Sequence, residues 1–249
     1  MIIHIAELKR SFVLLGLCAL VTIAGCKADE AKSAGYVDKS VMTQDASIPF
    51  QRSWKKPGFD KSKYTKLYVA PVNTAYMLEH TDWQQGIRKA NFEKDLAELA
   101  TYTQDALKKA FRDDPKHRLQ VLDAPSTDAD VLNLEVAIIE VVPSKVALNA
   151  IGYVPFGIGT TVNAIRAVAK DTSTCAFEAR FRIASTGEII ATGADREAQQ
   201  FAPVTVRGLT WYSNAETIVD QWATQFVEIA NRKPGETVDD VNTITLKPW

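Results

Sequence analysis

Val131 to Val142 (VLNLEVAIIEVV) reads as the strongest strand of the chain and decides the fold. Leu132, Leu134, Val136 and Ile138 fall on one face, with Asn133, Glu135 and Ala137 on the other, a period of two. Downstream, Thr174 to Ile183 alternates in the same way, with Phe177, Ala179, Phe181 and Ile183 against Glu178, Arg180 and Arg182. Ser185-Thr186-Gly187 is turn chemistry, so Glu188 to Ala198 returns as a hairpin partner. Upstream, Arg118 to Leu122 is a brief strand and Lys66 to Val72 another, closed by Pro71. Between these two, Phe92, Leu96, Leu99, Thr103, Ala106 or Leu107, and Ala110 recur at helical steps and predict a helix over Asn91–Arg112, stopped by Asp113, Asp114 and Pro115. A last helix carries Ile218, Val219, Trp222, Phe226 and Ile229, and Ser213 with Glu216 has capping-box spacing.

The order β-α-β-β-β-β-α, with one apolar face per strand, predicts a single α+β domain. Its sheet is mixed or mainly antiparallel, with two main helices packed on one face. The division expected is 1–25 signal peptide, 26–63 lipidated tether and extended lead segment, 64–233 α+β domain and 234–249 C-terminal tail. Phe50, Trp54 and Phe59 are too apolar for a solvated linker, so this part of the lead should wrap onto the domain.

The chain's 249 residues suffice for a substantial core, and 29 Lys+Arg against 30 Asp+Glu exclude a strongly basic nucleic-acid binder. Three cysteines are too few for a disulfide scaffold. Lys9 and Arg10 precede an apolar run from Phe12 to Ala24, which is shorter than the ~20 residues of a membrane span. The run ends in Ile23-Ala24-Gly25-Cys26, which resembles the bacterial lipobox: small residues for the peptidase, then a thiol for diacylglycerol. Cys26 is the expected lipidation site, and Lys27 after it favours the outer membrane over the inner one. Two or three acyl chains, at ~0.8 kcal/mol per buried methylene, anchor durably. A free tether would let the domain stand off; ten extended residues span about 30 Å. Cys175 is then the lone thiol of the mature chain, expected as a buried small hydrophobe.

Between Lys145 and Lys170 the sole charge is Arg166. A glycine-rich loop and short helix packed on the sheet edge is one reading of this segment. An exposed apolar surface for a partner, self-assembly or the membrane, carried by Ile151, Tyr153, Val154, Phe156 and Ile158, is a second, and a membrane span, against which Pro155, the glycines and Arg166 argue, is a third. Gly157-Ile-Gly159 lacks the third glycine and feeding strand of a dinucleotide site.

No nucleophile elbow, zinc helix, Walker loop or paired-cysteine motif occurs in the sequence. Ser53-x-x-Lys56 lacks the Lys-Thr-Gly partner of penicillin-recognising enzymes. Asp123, Asp128 and Asp130 lack the glycine and terminal glutamate of a calcium loop, and His80 and His117 have no partners at metal-ligand spacing. No metal and no cofactor are therefore expected. Tyr64, Tyr68, Tyr76 and Trp83 form a candidate stacking platform, and Glu135, Glu140 and Glu178 are the candidate acids of an alternative cell-wall or lipid hydrolase.

Ala34-Gly35-Tyr36-Val37-Asp38, Tyr64 to Val72, Ser185 to Glu188 and Asp220-Gln221-Trp222-Ala223 together resemble an uncharacterised Gram-negative lipoprotein family, domain of unknown function 3313. The hairpin departs from it in having Ser185 where the family carries Asp. The resemblance spans nearly the whole mature chain and implies no reaction and no site residues. At fold level the chain is also similar, more distantly, to curli-secretion lipoproteins. The expectation is a non-enzymatic, periplasm-facing outer-membrane lipoprotein. It would bind an envelope partner or assemble with itself, as an accessory to transport or envelope maintenance. A periplasmic enzyme or a small-ligand binding module is the alternative.

Overall fold

The computed structural model describes residues 28–78, 89–142, 172–200 and 212–240. Six strands form one mixed sheet: β1 (Arg52–Lys55), β2 (Lys66–Val69), β3 (Gln120–Leu122), β4 (Val131–Val142), β5 (Thr172–Ile183) and β6 (Ile189–Gln200). Their order across the sheet is β1-β6-β5-β4-β2-β3. The β4-β5-β6-β1 part is antiparallel, and β2 runs parallel to both β4 and β3. Two helices, α1 (Lys89–Arg112) and α2 (Ser213–Asn231), pack on each other and on one face of the sheet.

The alternation that predicts the strands selects this face. Leu132, Leu134, Val136 and Ile138 of β4, Phe177, Ala179 and Ile183 of β5, and Leu67 and Val69 of β2 meet Leu99 and Leu107 of α1 and Ile218, Trp222 and Phe226 of α2 in the main core. Thr103, buried among them, returns its hydroxyl to the Leu99 carbonyl at 2.8 Å, the i−4 bond that lets a threonine sit inside a helix. Phe50 joins the same core from the lead segment, resting on β6 where Gly193 leaves room. A Cβ at Gly193 would stand 3.1 Å from Phe50 Cδ2.

Several details depart from the sequence expectation. The sheet takes its edge strand β1 from within 26–63, so its boundary lies before Tyr64, because Phe50 needs the core and draws the following backbone into pairing with β6. β2 stops at Val69, ahead of Pro71, although the Ala70 N–H still donates to the Leu134 carbonyl at 2.9 Å, and pairing with β4 resumes at Asn73, whose N–H donates to the Val136 carbonyl at 2.8 Å. β3 begins at Gln120; Arg118 instead donates to the Lys61 carbonyl at 2.6 Å. The helix cap falls one residue before Ser213. Ser213 is already helical, Tyr212 holds the cap position without a side-chain cap bond, and its hydroxyl donates to Glu98 Oε2 at 2.8 Å.

Lys61 closes the far end of α2, its ammonium donating to the carbonyls of Ala230, at 2.7 Å, and of Arg232. Burial first, then the cations Arg118, Lys55 and Arg232, lower its pKa from 10.5 to about 8. Between those two values the unfolded chain binds more protons than the native one, so the Lys61 contribution to stability rises with pH across that window. Thermal melts of wild type and Lys61→Met, compared from about pH 7.5 to about pH 9.5, should diverge in favour of wild type as pH rises. Parallel profiles would count against this assignment.

Candidate functional site: the strapped outer face of the sheet

The face of the sheet turned away from the helices is covered by the protein's own N-terminal segment. Ala31, Tyr36, Val37 and Met42 pack on Ala137, Ile139, Ala176 and Ala194 in a second, smaller core, with Trp54 at its rim. Residues 28–42 thus form a strap across the outer face rather than a free tether.

One side chain holds the strap. Glu178 is fully buried in β5, and its carboxylate accepts the N–H groups of Ala34 (2.9 Å, Oε1), Tyr36 (2.8 Å, Oε2) and Val37 (3.0 Å, Oε2). The Lys39 ammonium stands 3.8 Å from the same carboxylate and 3.6 Å from Glu30. Such convergence of successive N–H groups on one anion is a backbone nest, and it needs a left-handed residue. Gly35 supplies it, at φ +81°. A Cβ at Gly35 meets nothing within 4 Å, so Gly35→Ala tests the backbone term alone. It should loosen the strap by about 1–2 kcal/mol, read as faster amide exchange over residues 34–37.

Around the clamp lies a network of charges. Arg180 Nε meets Glu135 Oε2 at 2.5 Å, and Arg182 Nε meets Glu135 Oε1 at 3.2 Å. The Arg180 guanidinium also lies 4.3 Å above the Tyr36 ring and donates to the Tyr36 carbonyl at 3.3 Å. Tyr36 in turn meets Tyr76 edge-on, 5.0 Å between centroids. Burial raises the Tyr36 hydroxyl above its ordinary pKa, outweighing the opposing pull of Arg180.

Glu140 reaches this face through a β-bulge. Strict alternation would place it with Val136 and Ile138 in the apolar core. A register shift between Ile138 and Glu140 turns it outward, where it meets Arg196 Nε at 2.5 Å and accepts from Thr174 Oγ1 at 3.1 Å. Arg196 also donates to the Asp29 carbonyl at 3.2 Å, and Gln51 Nε2 donates to the Ala28 carbonyl at 2.5 Å, which pins the strap at its first described residues. Gln51 ties the two layers together, since its backbone N–H donates at 3.1 Å to Asp195, whose other oxygen accepts Trp222 Nε1 at 3.0 Å.

Glu135, Glu140 and Glu178, the acids proposed for a hydrolase, therefore share one face, and each is held in ion pairs or nest bonds. The aromatic platform does not assemble: Tyr64 stacks on Phe59 at 5.3 Å, Tyr76 lies against Tyr36, and Trp83 falls outside the described residues. Asp123 pairs with Arg112, and Asp128 and Asp130 flank Lys66. Among the described residues no group of three His, Cys, Asp or Glu is placed to hold a metal ion. Cys175 is buried and burial raises its thiol pKa strongly, the setting of an inert thiol.

A cleft of about 800 Å³ lies between the end of α1 and the C-terminal segment, with Asp114 and Glu236 in its wall. Burial acts to raise the Asp114 pKa, but hydrogen bonds from Asn231, Lys116 and Arg118 hold the carboxyl below its ordinary value. The Lys233 N–H does the same for Glu236. A general acid at neutral pH needs the opposite shift. Cys26, Ile23, Ala24 and Gly25, His80, and the apolar residues Ile151, Tyr153, Val154, Phe156 and Ile158 lie outside the described residues. Among the described residues no helix is long and apolar enough to cross a membrane.

The strap was legible in sequence only as the stretch Ala34 to Asp38 around a glycine. Its anchor on β5, more than a hundred residues away, left no local signal.

The fold and this site define a single-domain α+β protein whose N-terminal strap is clamped to the outer face of its sheet by a buried carboxylate. The chain belongs to the DUF3313 family, proteins of unknown function, whose model matches residues 32–226 and so takes in strap, sheet and most of α2. No curated protein matches it. Among solved structures it is similar to the PelC dodecamer from Paraburkholderia phytofirmans (10% identity, 70% of this chain and 94% of that one, TM-score 0.37). It is also similar to a DUF330 protein from Xanthomonas campestris (12% identity, 71% of this chain and 90% of that one, TM-score 0.39).

Proposed function

We propose that this protein is a non-enzymatic lipoprotein of the outer membrane, facing the periplasm, that binds an envelope partner or a second copy of itself. The observation that supports it best is a juxtaposition: the lipobox Ile23-Ala24-Gly25-Cys26 stands immediately before a chain that is already docked at Ala28. A lipid on Cys26 would thus act on a fixed domain rather than on a tethered one. The saturated state of Glu135, Glu140 and Glu178, and the lowered pKa values of Asp114 and Glu236, favour a binding role over acid–base catalysis.

Cys26→Ser tests the anchor. The variant should lose acylation, seen in the mass of the N-terminal peptide, and move from the membrane to the soluble fraction. Retention of lipid in the variant would refute the lipobox reading. Light scattering of the wild-type protein with and without residues 146–169 tests assembly, which a monomer in both cases would exclude.

A further inference from the structure

The helices leave part of their own side of the sheet open. α2 packs on β5 and β6, and β1 lies beyond it at the sheet edge. In the register of these strands Phe181, Ala191 and Lys55 make one rung and Ala179, Gly193 and Ser53 the next, both turned to the side of the main core. Residues 43–50 only partly close this strip. They leave β1 at the bridge between Thr43 and Ser53, whose backbones exchange hydrogen bonds of 2.9 and 2.8 Å. They then cross to the end of α2, where Arg232 donates to the Ser47 carbonyl at 2.9 Å and to its hydroxyl, and return to the core at Phe50.

Beside this crossing remains a groove of about 490 Å³, lined by Ala179, Phe181 and Ala191 of the sheet and by Ile48, Phe226 and Ile229 opposite them. Phe181, Ala191 and Ile229 stay partly exposed in it. That volume is in the range of small-molecule sites. It takes one alkyl chain, where a phospholipid brings two. A sugar or a nucleotide would leave its polar groups unpaired against this apolar lining.

Three charged side chains also line the groove: Asp45, Lys55 and Arg232. Asp45 accepts the Ser47 hydroxyl at 2.5 Å and the Ser47 N–H at 2.9 Å, and Arg232 stands 4.0 Å from it. The bonds from Ser47, the hydroxyl's first, hold the Asp45 carboxyl below its ordinary pKa, so it stays ionised and offsets Arg232. Lys55 is left over. Its side chain is exposed and has no salt bridge or hydrogen bond to any described residue. Lys61 adds to the positive field, since after burial and Arg118 it is Lys55 and Arg232 that lower its pKa.

We infer that this groove binds one long-chain fatty acid, its alkyl chain laid along Ala179, Phe181 and Ala191 against Ile229, and its carboxylate beside Lys55. This is a role separate from the lipid anchor.

Photo-labelling of the full-length protein in its membranes tests it. The probes are tetradecanoate and tetradecanol, each with a diazirine at the chain end, and the adduct is placed by peptide mass. The acid should label the peptides that carry Phe181, Ala191 or Ile229, and unlabelled tetradecanoate should compete it away. In Lys55→Gln the half-saturating concentration of the acid should rise about threefold to fivefold, the upper range of an exposed ion pair, while that of the alcohol stays the same. Ala191→Leu, which fills the groove from the sheet side, should remove labelling by both probes and keep the wild-type melting temperature.

Adducts confined to other peptides, or labelling unchanged in Ala191→Leu, overturn the site. An equal response of acid and alcohol to Lys55→Gln overturns the carboxylate's place. An unlabelled protein, as when a partner or a second copy covers the groove, overturns the proposal as a whole. Lys55 is exposed, so its variant still decides the matter if Ala191→Leu fails to fold.

Discussion

Glu178→Ala is expected to destabilise the protein by about 3–5 kcal/mol, because it deletes a fully buried carboxylate, leaves three strap N–H groups without their acceptor and takes one of its two facing anions from Lys39. For a domain of this size that corresponds to a fall in melting temperature on the order of 10 °C. The loss should be local before it is global. The strap buries Ala31, Tyr36, Val37 and Met42 against only a few alanines and Ile139, too little apolar surface to stay docked unaided. Limited proteolysis should therefore cut within residues 28–42 while the sheet and helices remain protected. Glu178→Gln keeps one acceptor oxygen but turns an amide donor towards N–H groups, so it should fall between wild type and alanine. An alanine variant with unchanged melting and an intact strap would refute the clamp.

Phe177→Ala should cost a comparable amount, about 3–5 kcal/mol, by a different mechanism. Its ring lies 4.7 Å from Trp222, 5.1 Å from Phe50 and 5.4 Å from Phe226, and it is fully enclosed. Truncation leaves a cavity lined by three rings, Phe50 from the lead segment and Trp222 and Phe226 from α2, none of which can collapse into it without dragging an element along. Phe181, four residues on, sits at the margin of this cluster, 6.2 Å from Phe226 and only partly buried. Phe181→Ala should thus cost clearly less. Urea denaturation of the two variants measures the difference, and near-ultraviolet circular dichroism of Trp222 reports the loosened cluster. Equal losses would mean that the core is not organised around Phe177.

The elements that obey simple periodicity were the legible ones. β4 runs over Val131–Val142 as its alternation predicts, and α1 closes at Arg112 before Asp113-Asp114-Pro115. The inward residues Leu134, Phe177, Leu99 and Trp222 are buried as their spacing predicts. Local pattern suffices there because each residue's face is set by its immediate neighbours. It was insufficient at Glu140, where one extra residue in the ladder reverses the face. It was insufficient again for the lead segment, whose polar composition concealed Phe50 in the main core and Tyr36 in the second one.

The candidate site was legible only in fragments. Glu135, Glu140 and Glu178 stood out as acids in a strand-rich region, but their partners Arg180, Arg196 and the N–H groups at 34–37 are set by register and by chain return. A carboxylate that reads as a catalytic candidate in sequence becomes a structural clamp once the backbone amides converge on it.

By itself, then, the sequence determined an α+β domain with two helices on one face and a near-neutral charge, both of them properties of neighbouring residues and their spacing. Only the tertiary structure decided that both faces of the sheet are covered, and that the N-terminal segment is a strap rather than a tether. The physical reason is that Glu178 and Gly35 are separated by most of the chain. Burial of a charge there becomes tolerable only when distant N–H groups arrive together to bind it.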